Sequence, residues 1–285
     1  MIVIENMQEW RKKRRELAKN SRELAKNSRE LGISVGFVPT MGALHEGHVS
    51  LLRESVARED VTVLSIYVNP TQFNDPKDLA NYPDTLTDDL DKAREVGVDY
   101  VILPKYEDIY SDGFRYQVTE SEFSLELCGA NRPGHFTGVL TVVMKLLNLV
   151  KPDRAYFGKK DYQQYQLISD MCEAFFMDVE IVPCETVRET DGLAMSSRNK
   201  LLDHDARALA RHFNKILVRA CDDEHAIRQL EAKGFKVDYV ETRGSQRFGA
   251  VVVNSGDKVV RLIDNVALPK SAGPTAQDLT RVSAG

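Results

Sequence analysis

Apolar runs alternate with polar, helix-like segments along the first two-thirds of this chain, and few architectures accept that pattern. Val61–Val68 reads as a buried strand that ends at Asn69-Pro70, and Tyr100–Pro104, Ala155–Gly158 and Val179–Pro183 are shorter runs of the same kind. Between them, residues 85–97 read as a helix closed at Gly97, Val139–Val150 as a long apolar helix stopped by Lys151-Pro152, and residues 161–176 as a further helix. Strands separated by helices in this way form a parallel, doubly wound α/β sheet, a Rossmann-like core whose ligands bind beyond the C-terminal strand ends. Past residue 185 the pattern changes. Residues 203–232 look mainly helical, and three strands follow at 236–241, 250–253 and 259–263. The chain is therefore expected to hold a large domain over 1–185 and a smaller α+β domain over 186–285, with a mobile polar tail from about residue 270.

The stretch from Val35 to His48 is the most informative loop. An apolar run ends in Pro39 and Gly42, two histidines follow at 45 and 48 with Gly47 between them, and a helical pattern starts at Val49-Ser50-Leu51-Leu52. A strand, a tight loop and a helix N-terminus offer unpaired N–H groups and a positive dipole to a phosphate chain. The histidines add donors that titrate near neutral pH. Two other readings stand beside this one at this point. A metal pair would be expected four residues apart on a continuous helix, as in HExxH, with a third ligand nearby. A plain turn carrying two surface histidines needs no ligand at all.

The net charge of −5 gives no electrostatic footprint for nucleic acid or an anionic membrane, so any polyanion bound is small and held in a local basic pocket. The four cysteines, Cys128, Cys172, Cys184 and Cys221, form no CxxC and are expected to be reduced thiols in a cytoplasmic protein. Met1-Ile2-Val3-Ile4 is followed at once by charge, so no signal peptide is expected, and no apolar run approaches the ~20 residues of a membrane span. Residues 15–31 carry a tandem duplication of the heptad RELAKNS. Seven residues are nearly two helical turns, so Leu17, Leu24 and Leu31 stay on one face and the copy lengthens a helix without changing what it buries.

Four further segments carry chemistry. Asn69-Pro70-Thr71-Gln72-Phe73 is a strand-end loop whose neutral amide suits a hydroxyl or carboxylate. Arg132–Leu140 enters the long apolar helix. Gly158-Lys159-Lys160-Asp161 places lysines after a strand as a second anion site, and Met195-Ser196-Ser197-Arg198-Asn199 offers two hydroxyls and a base in one loop. Read singly, each is equally a loop residue, a helix start or solvated surface.

Together they resemble the pantothenate synthetase (pantoate–β-alanine ligase) family. The matching segments are FVPTMGALHEGH at 37–48, YVNPTQF at 67–73, RPGHFTGVLTVV at 132–143, KPDRAYFGKKDYQQ at 151–164, DGLAMSSRN at 191–199 and RLIDN at 261–265, in the family's order over about residues 30 to 270. The family belongs to the HIGH-motif nucleotidyltransferases; HEGH plays the HIGH part and MSSR resembles KMSKS. The resemblance implies a ligase in which pantoate and ATP form pantoyl adenylate and pyrophosphate, and β-alanine then releases AMP and pantothenate, the precursor of coenzyme A.

By the same resemblance, His48, His45, Lys160 and Arg198 carry the catalysis, with His48 as the proton donor. ATP is expected along Met41, Gly42, Ala43, Leu44, His45, Glu46, Gly47 and His48, at Gly158, Lys159, Lys160 and Asp161, at Val187, and at Met195, Ser196, Ser197 and Arg198. Gln72 and Gln164 match the pantoate clamp, with Gln72 also reaching β-alanine. Asp88 and Asp89 are expected to help place Mg²⁺, which would neutralise part of the triphosphate. The C-terminal domain is expected to act as a lid, and the enzyme as a cytoplasmic homodimer with small-molecule substrates only. Rival members of the superfamily that transfer a nucleotide to a phosphorylated alcohol would need a strong second phosphate site where Gln72 and Gln164 stand.

Overall fold

A computed structural model describes residues 1–28 and 32–269. Six parallel strands form the large sheet: β1 (Ile2–Ile4), β2 (Val35–Thr40), β3 (Val61–Ile66), β4 (Tyr100–Ile102), β5 (Arg154–Gly158) and β6 (Glu180–Cys184), in the order β1-β4-β3-β2-β5-β6. Helices join them: α1 (Met7–Ser28), α2 (Glu46–Arg58), α3 (Pro76–Ala80), α4 (Leu86–Val96), α5 (Tyr106–Ile109), α6 (His135–Val150) and α7 (Tyr162–Ala174). Strand β1 is an addition to the expected set. Three residues at the chain start carry too short a pattern to read, and the strand is secured by its parallel register on Tyr100–Ile102.

Period-two alternation sends neighbouring residues to opposite faces of the sheet. Phe37, Val63 and Ile102 pack into the layer built with Trp10, Leu140, Leu147 and Ile168 of α1, α6 and α7. Their chain neighbours Val38, Leu64 and Val101 pack into the other layer, with Leu52 of α2 and Ala93 of α4. Both faces are covered, so the sheet is doubly wound as expected. Fully burying each such side chain contributes about 1.5–3 kcal/mol.

Helix α1 is fastened by residues that precede the duplicated heptad or open it. Trp10 is fully buried and its Nε1–H donates to the Leu149 carbonyl at 3.0 Å. Arg14 donates to the carbonyls of Val150 (2.8 Å) and Lys151 (2.6 Å), which caps the C-terminal end of α6 with a cation. Leu17 is buried in the same core. The side chain of Leu24, Leu31 itself and the tail expected to be mobile lie outside the described residues.

Beyond β6, helices α8 (His204–Ala210), α9 (Phe213–Arg219) and α10 (Asp223–Lys233) pack on an antiparallel sheet of β7 (Lys236–Arg243), β8 (Gln246–Ser255) and β9 (Lys258–Ala267) around a separate apolar cluster that includes Phe213, Leu217, Leu230 and Val251. The strand order of the large sheet reverses between β2 and β5, which pair only near their N-terminal ends, Gly36 with Arg154 and Phe37 with Ala155, and leave their C-terminal ends unpaired with each other. That crevice is where such sheets bind ligands.

Candidate active site

The loop leaving β2 is built by a carboxylate from a distant helix. Gly42 and Ala43 both take left-handed conformations (φ +78° and +51°), which point the following amides inward. Asp89 of α4 receives them: the Ala43 N–H donates to Oδ2 at 2.9 Å and the Leu44 N–H to Oδ1 at 2.7 Å, and the Thr85 hydroxyl donates at 3.0 Å. The loop hands the chain to α2 at His45, the N-cap residue.

Helix α2 is capped by its own histidines. The Gly47 N–H donates to His45 Nδ1 at 3.1 Å, and the His45 N–H donates to His48 Nδ1 at 3.4 Å, a reciprocal box made of two imidazoles. The rings stack at 4.1 Å between centroids. Because each Nδ1 accepts, each neutral ring carries its proton on Nε2. Burial, then the Lys160 charge, lowers His45 to about 4; burial, then His45, lowers His48 to about 3. At neutral pH the pair is uncharged and presents two Nε2–H donors.

These rings line a cavity of about 290 Å³ whose far wall comes from β5, α7 and the segment after β6. Lys160 faces it, 3.5 Å from Asp161. Burial would raise the Asp161 carboxyl, but Lys160 and Arg198 hold it below the ordinary carboxylate range. Residues 187–195 form a tight hairpin in which Arg188 bridges Ala194 and the Met195 N–H donates to the Val187 carbonyl at 3.0 Å. It delivers Met195, Ser196, Ser197 and Arg198 to the cavity rim, with Ser196 Oγ accepting the Arg198 N–H at 3.3 Å.

At the other end stand Gln72 and Gln164. Gln72 follows β3 on a turn (Pro70–Gln72) that lies directly on α6, and Asn69 Nδ2 donates to its Oε1 at 3.0 Å. Its carbonyl is gripped as well: His135 Nδ1 lies 2.9 Å away and Arg132 Nη2 3.3 Å. Arg132 Nη1 is 2.9 Å from His135 Nε2, so the imidazole donates to Gln72 and accepts from the guanidinium. Burial, then Arg132, lowers His135 to about 4, and burial, then Arg198, lowers Arg132 to about 10.

The structure brings Met41, His45, Gly47, His48, Gln72, Gly158, Lys160, Asp161, Gln164, Val187, Met195, Ser196, Ser197 and Arg198 to one cavity. Other expected residues stand elsewhere. The amides of Ala43 and Leu44 are committed to Asp89, Leu44 is buried in the core, Gly42 packs beside Asp89, and Glu46 pairs with Arg53 on the surface. Lys159 turns outward to Glu185 at 2.5 Å; of the two lysines only Lys160 faces the cavity. The expectation that Asp88 and Asp89 place Mg²⁺ is corrected by the same geometry. Both Asp89 oxygens are used by the loop, Asp88 is paired with Lys92 at 2.5 Å, and neither residue lines the cavity. Among the described residues no three His, Cys, Asp or Glu side chains stand together as a metal site. Arg132 and Arg261 also line the cavity and were not singled out. Both stand inside matching segments, Arg132 three residues before His135 and Arg261 at the head of RLIDN on β9, and that position was the available signal for each.

A family model described as pantoate–β-alanine ligase matches residues 9–267. A pantothenate synthetase of Bdellovibrio bacteriovorus is 53% identical over 235 residues, covering 82% of this chain and 92% of that protein. One from Legionella pneumophila is 47% identical over 268 residues, covering 94% of this chain and 100% of its own length. Among solved structures, a Francisella tularensis pantoate–β-alanine ligase crystallised with β,γ-ATP and β-alanine superposes with a TM-score of 0.82 at 37% identity, covering 94% of this chain and 97% of that one. A Thermus thermophilus pantothenate synthetase gives 0.78 at 35% identity, covering 94% and 100%. With its α/β sheet, its paired imidazoles and these relatives spanning nearly its whole length, the chain belongs to the pantoate–β-alanine ligase family.

Proposed function

We propose that this enzyme condenses pantoate with β-alanine at the expense of ATP, giving pantothenate, AMP and pyrophosphate through a pantoyl adenylate. The observation that carries the reading is one cavity in which two neutral Nε2–H donors, Lys160 and Arg198 face a pair of glutamine amides and Arg132. The first four groups suit a triphosphate, and the second set suits a hydroxyl-bearing carboxylate.

In the first step a pantoate carboxylate oxygen attacks the α-phosphorus and the bond to pyrophosphate breaks. Charge moves toward the departing phosphates, where the His45 and His48 N–H groups, Lys160, Arg198 and the Ser196 and Ser197 hydroxyls wait in fixed positions. His48 is the proton donor of this reading; its hydrogen bond to the leaving charge strengthens as that charge develops. The backbone at Met41, Gly47, Gly158, Asp161 and Val187 flanks the nucleotide. Gln72 and Gln164 hold pantoate, and Arg132, steadied by His135, meets its carboxylate. In the second step the β-alanine amine attacks the acyl carbon, AMP leaves, and the amine gives up its proton.

Mg²⁺ would enter this reading with ATP and would neutralise part of the triphosphate charge. The described residues supply no cluster that fits a resident ion, and no step here depends on one. The chain works as two domains meeting near residue 185, with the C-terminal one closing as a lid that keeps water from the acyl adenylate. The four cysteines stand as free thiols, which suits a cytoplasmic enzyme. The homodimer implied by the family resemblance is tested by light scattering of the purified protein. The ligase reading is tested by ATP–pyrophosphate exchange. Exchange appears only with pantoate, and AMP release then requires β-alanine. Equal exchange with unrelated acids overturns the substrate assignment.

A further inference from the structure

Two adjacent residues of β9 hold both phosphate-facing loops from the C-terminal side. Asn265 is buried, and its Nδ2 donates to the carbonyls of Lys159 at 2.8 Å and Lys160 at 2.9 Å. Its Oδ1 accepts from Gln246 Nε2 at 2.6 Å, which fixes the direction of the amide. Asp264 is also buried, and it takes the Arg188 guanidinium with both oxygens, at 2.7 and 2.9 Å, while Asn214 donates to it at 3.0 Å. Arg188 opens the hairpin that ends in Met195–Arg198 and also donates to the Gly192 carbonyl within it at 3.2 Å. The hairpin is fastened onward to the serine loop, since Asn199 Nδ2 donates to Glu189 at 2.8 Å and to the Ala194 carbonyl at 3.0 Å.

We propose that Asp264 and Asn265 form a positioning pair that couples the Lys160 turn to the Ser196–Arg198 loop, so that the two grips on the triphosphate are set as one unit. A strand cannot shift one of two consecutive residues along its axis without shifting the other, because both ride on the same backbone held in register with β8. Movement of β9 therefore carries Lys160 and the serine loop together. A bidentate guanidinium pair and a twice-donating amide are directional contacts, so the coupling transmits geometry as well as proximity. The pair touches no reacting atom. It acts through Lys160 and Arg198, and to that extent rests on the ligase reading above.

The test uses Asn265→Asp, which sets a carboxylate against two carbonyls without changing size, and Asp264→Asn, which weakens the grip on Arg188. Each variant is examined by hydrogen exchange of the full chain and by pantoate-dependent ATP–pyrophosphate exchange. Asn265→Asp is expected to speed amide exchange in residues 188–199, which Asn265's side chain does not touch, as well as in 158–164. Asp264→Asn is expected to speed it in residues 158–164, which Asp264's side chain does not touch, as well as in 188–199. Each slows pyrophosphate exchange at least tenfold and raises KM for ATP more than KM for pantoate. Loosening confined to each variant's own loop, or unchanged exchange rates, overturns the pair. Should Asp264→Asn fail to fold, Arg188→Lys breaks the bidentate contact from the other end and carries the same expectations. Hydrogen exchange needs no activity. Absence of pantoate-dependent turnover in the unmodified enzyme overturns the ligase reading and leaves the coupling measurable.

Discussion

Gly138→Ala turns one close approach into a kinetic experiment. Gly138 lies one turn into α6, under the Pro70–Gln72 turn. A methyl carbon there would sit 2.5 Å from the Thr71 carbonyl oxygen, 2.7 Å from the Thr71 carbonyl carbon and 2.8 Å from the Gln72 nitrogen. All three are backbone atoms, so no rotamer change relieves them. Reaching ordinary contact requires the turn to recede by roughly 0.9 Å, an overpacking displacement worth about 1–3 kcal/mol. Alanine is favoured over glycine inside a helix by about 0.8–1.0 kcal/mol, which offsets much of that cost. Thermal stability is thus expected to fall only slightly. Activity is not protected in the same way. Gln72 rides on the displaced turn, and its contacts with Asn69, His135 and Arg132 are all stretched. A misplacement of about 1 Å costs on the order of a hundredfold in rate when a substrate must be held for attack. Steady-state pyrophosphate exchange is expected to show kcat/KM for pantoate down by about that factor, with KM for ATP close to unchanged. Turnover within a few-fold of the parent enzyme, at a comparable melting temperature, would refute the view that the Pro70–Gln72 turn positions the acid.

Three other perturbations have defined outcomes. Acid should destabilise the fold over an unusual window: the unfolded chain protonates His45, His48 and His135 below about 6.5, whereas the folded chain keeps them neutral down to about 4, 3 and 4. Stability therefore falls as pH drops from 6.5 toward 4, and a flat urea midpoint across that range contradicts the buried neutral rings. Asp89→Asn sets an amide donor against one loop N–H, at about 1–3 kcal/mol, and lowers activity in a way that added Mg²⁺ does not restore; recovery at high Mg²⁺ would return Asp89 to a metal role. Arg132→Lys loses the forked contact to His135 and the Gln72 carbonyl, and pantoate KM should rise about tenfold with little change for ATP; an unchanged pantoate KM would remove Arg132 from the substrate wall.

The sheet was legible because its strands are short, apolar and regularly interrupted, so that period and punctuation agree. Helix α6 begins at His135, four residues before the apolar stretch from Val139, because its first turn mixes His135, which contacts the Gln72 carbonyl, with Phe136, which is buried in the core, and so shows no continuous apolar run. The site was harder to read, for a consistent reason. Lys159 and Lys160 are adjacent and alike in sequence; which one faces the cavity is settled by Glu185, across the sheet edge. Gln163 and Gln164 divide in the same way. Gln163 is buried on the Cys128 amide and the Phe123 and Glu126 carbonyls, while Gln164 faces the cavity. Asp89 serves a loop some forty-five residues earlier. Local spacing identifies which segments carry chemistry. Long-range hydrogen bonds decide which side chain within each segment is exposed to it.

The reciprocal cap on α2 has a consequence for anyone altering this enzyme. An asparagine at position 45 would satisfy the Gly47 amide as well as imidazole does, since asparagine is among the best N-cap residues. It would reproduce neither the ring nor the Nε2–H aimed at the cavity. Such a variant would purify, melt and give a circular dichroism spectrum like its parent. A screen that ranks variants by heat resistance alone would therefore retain molecules that have lost one of the two imidazoles lining the cavity.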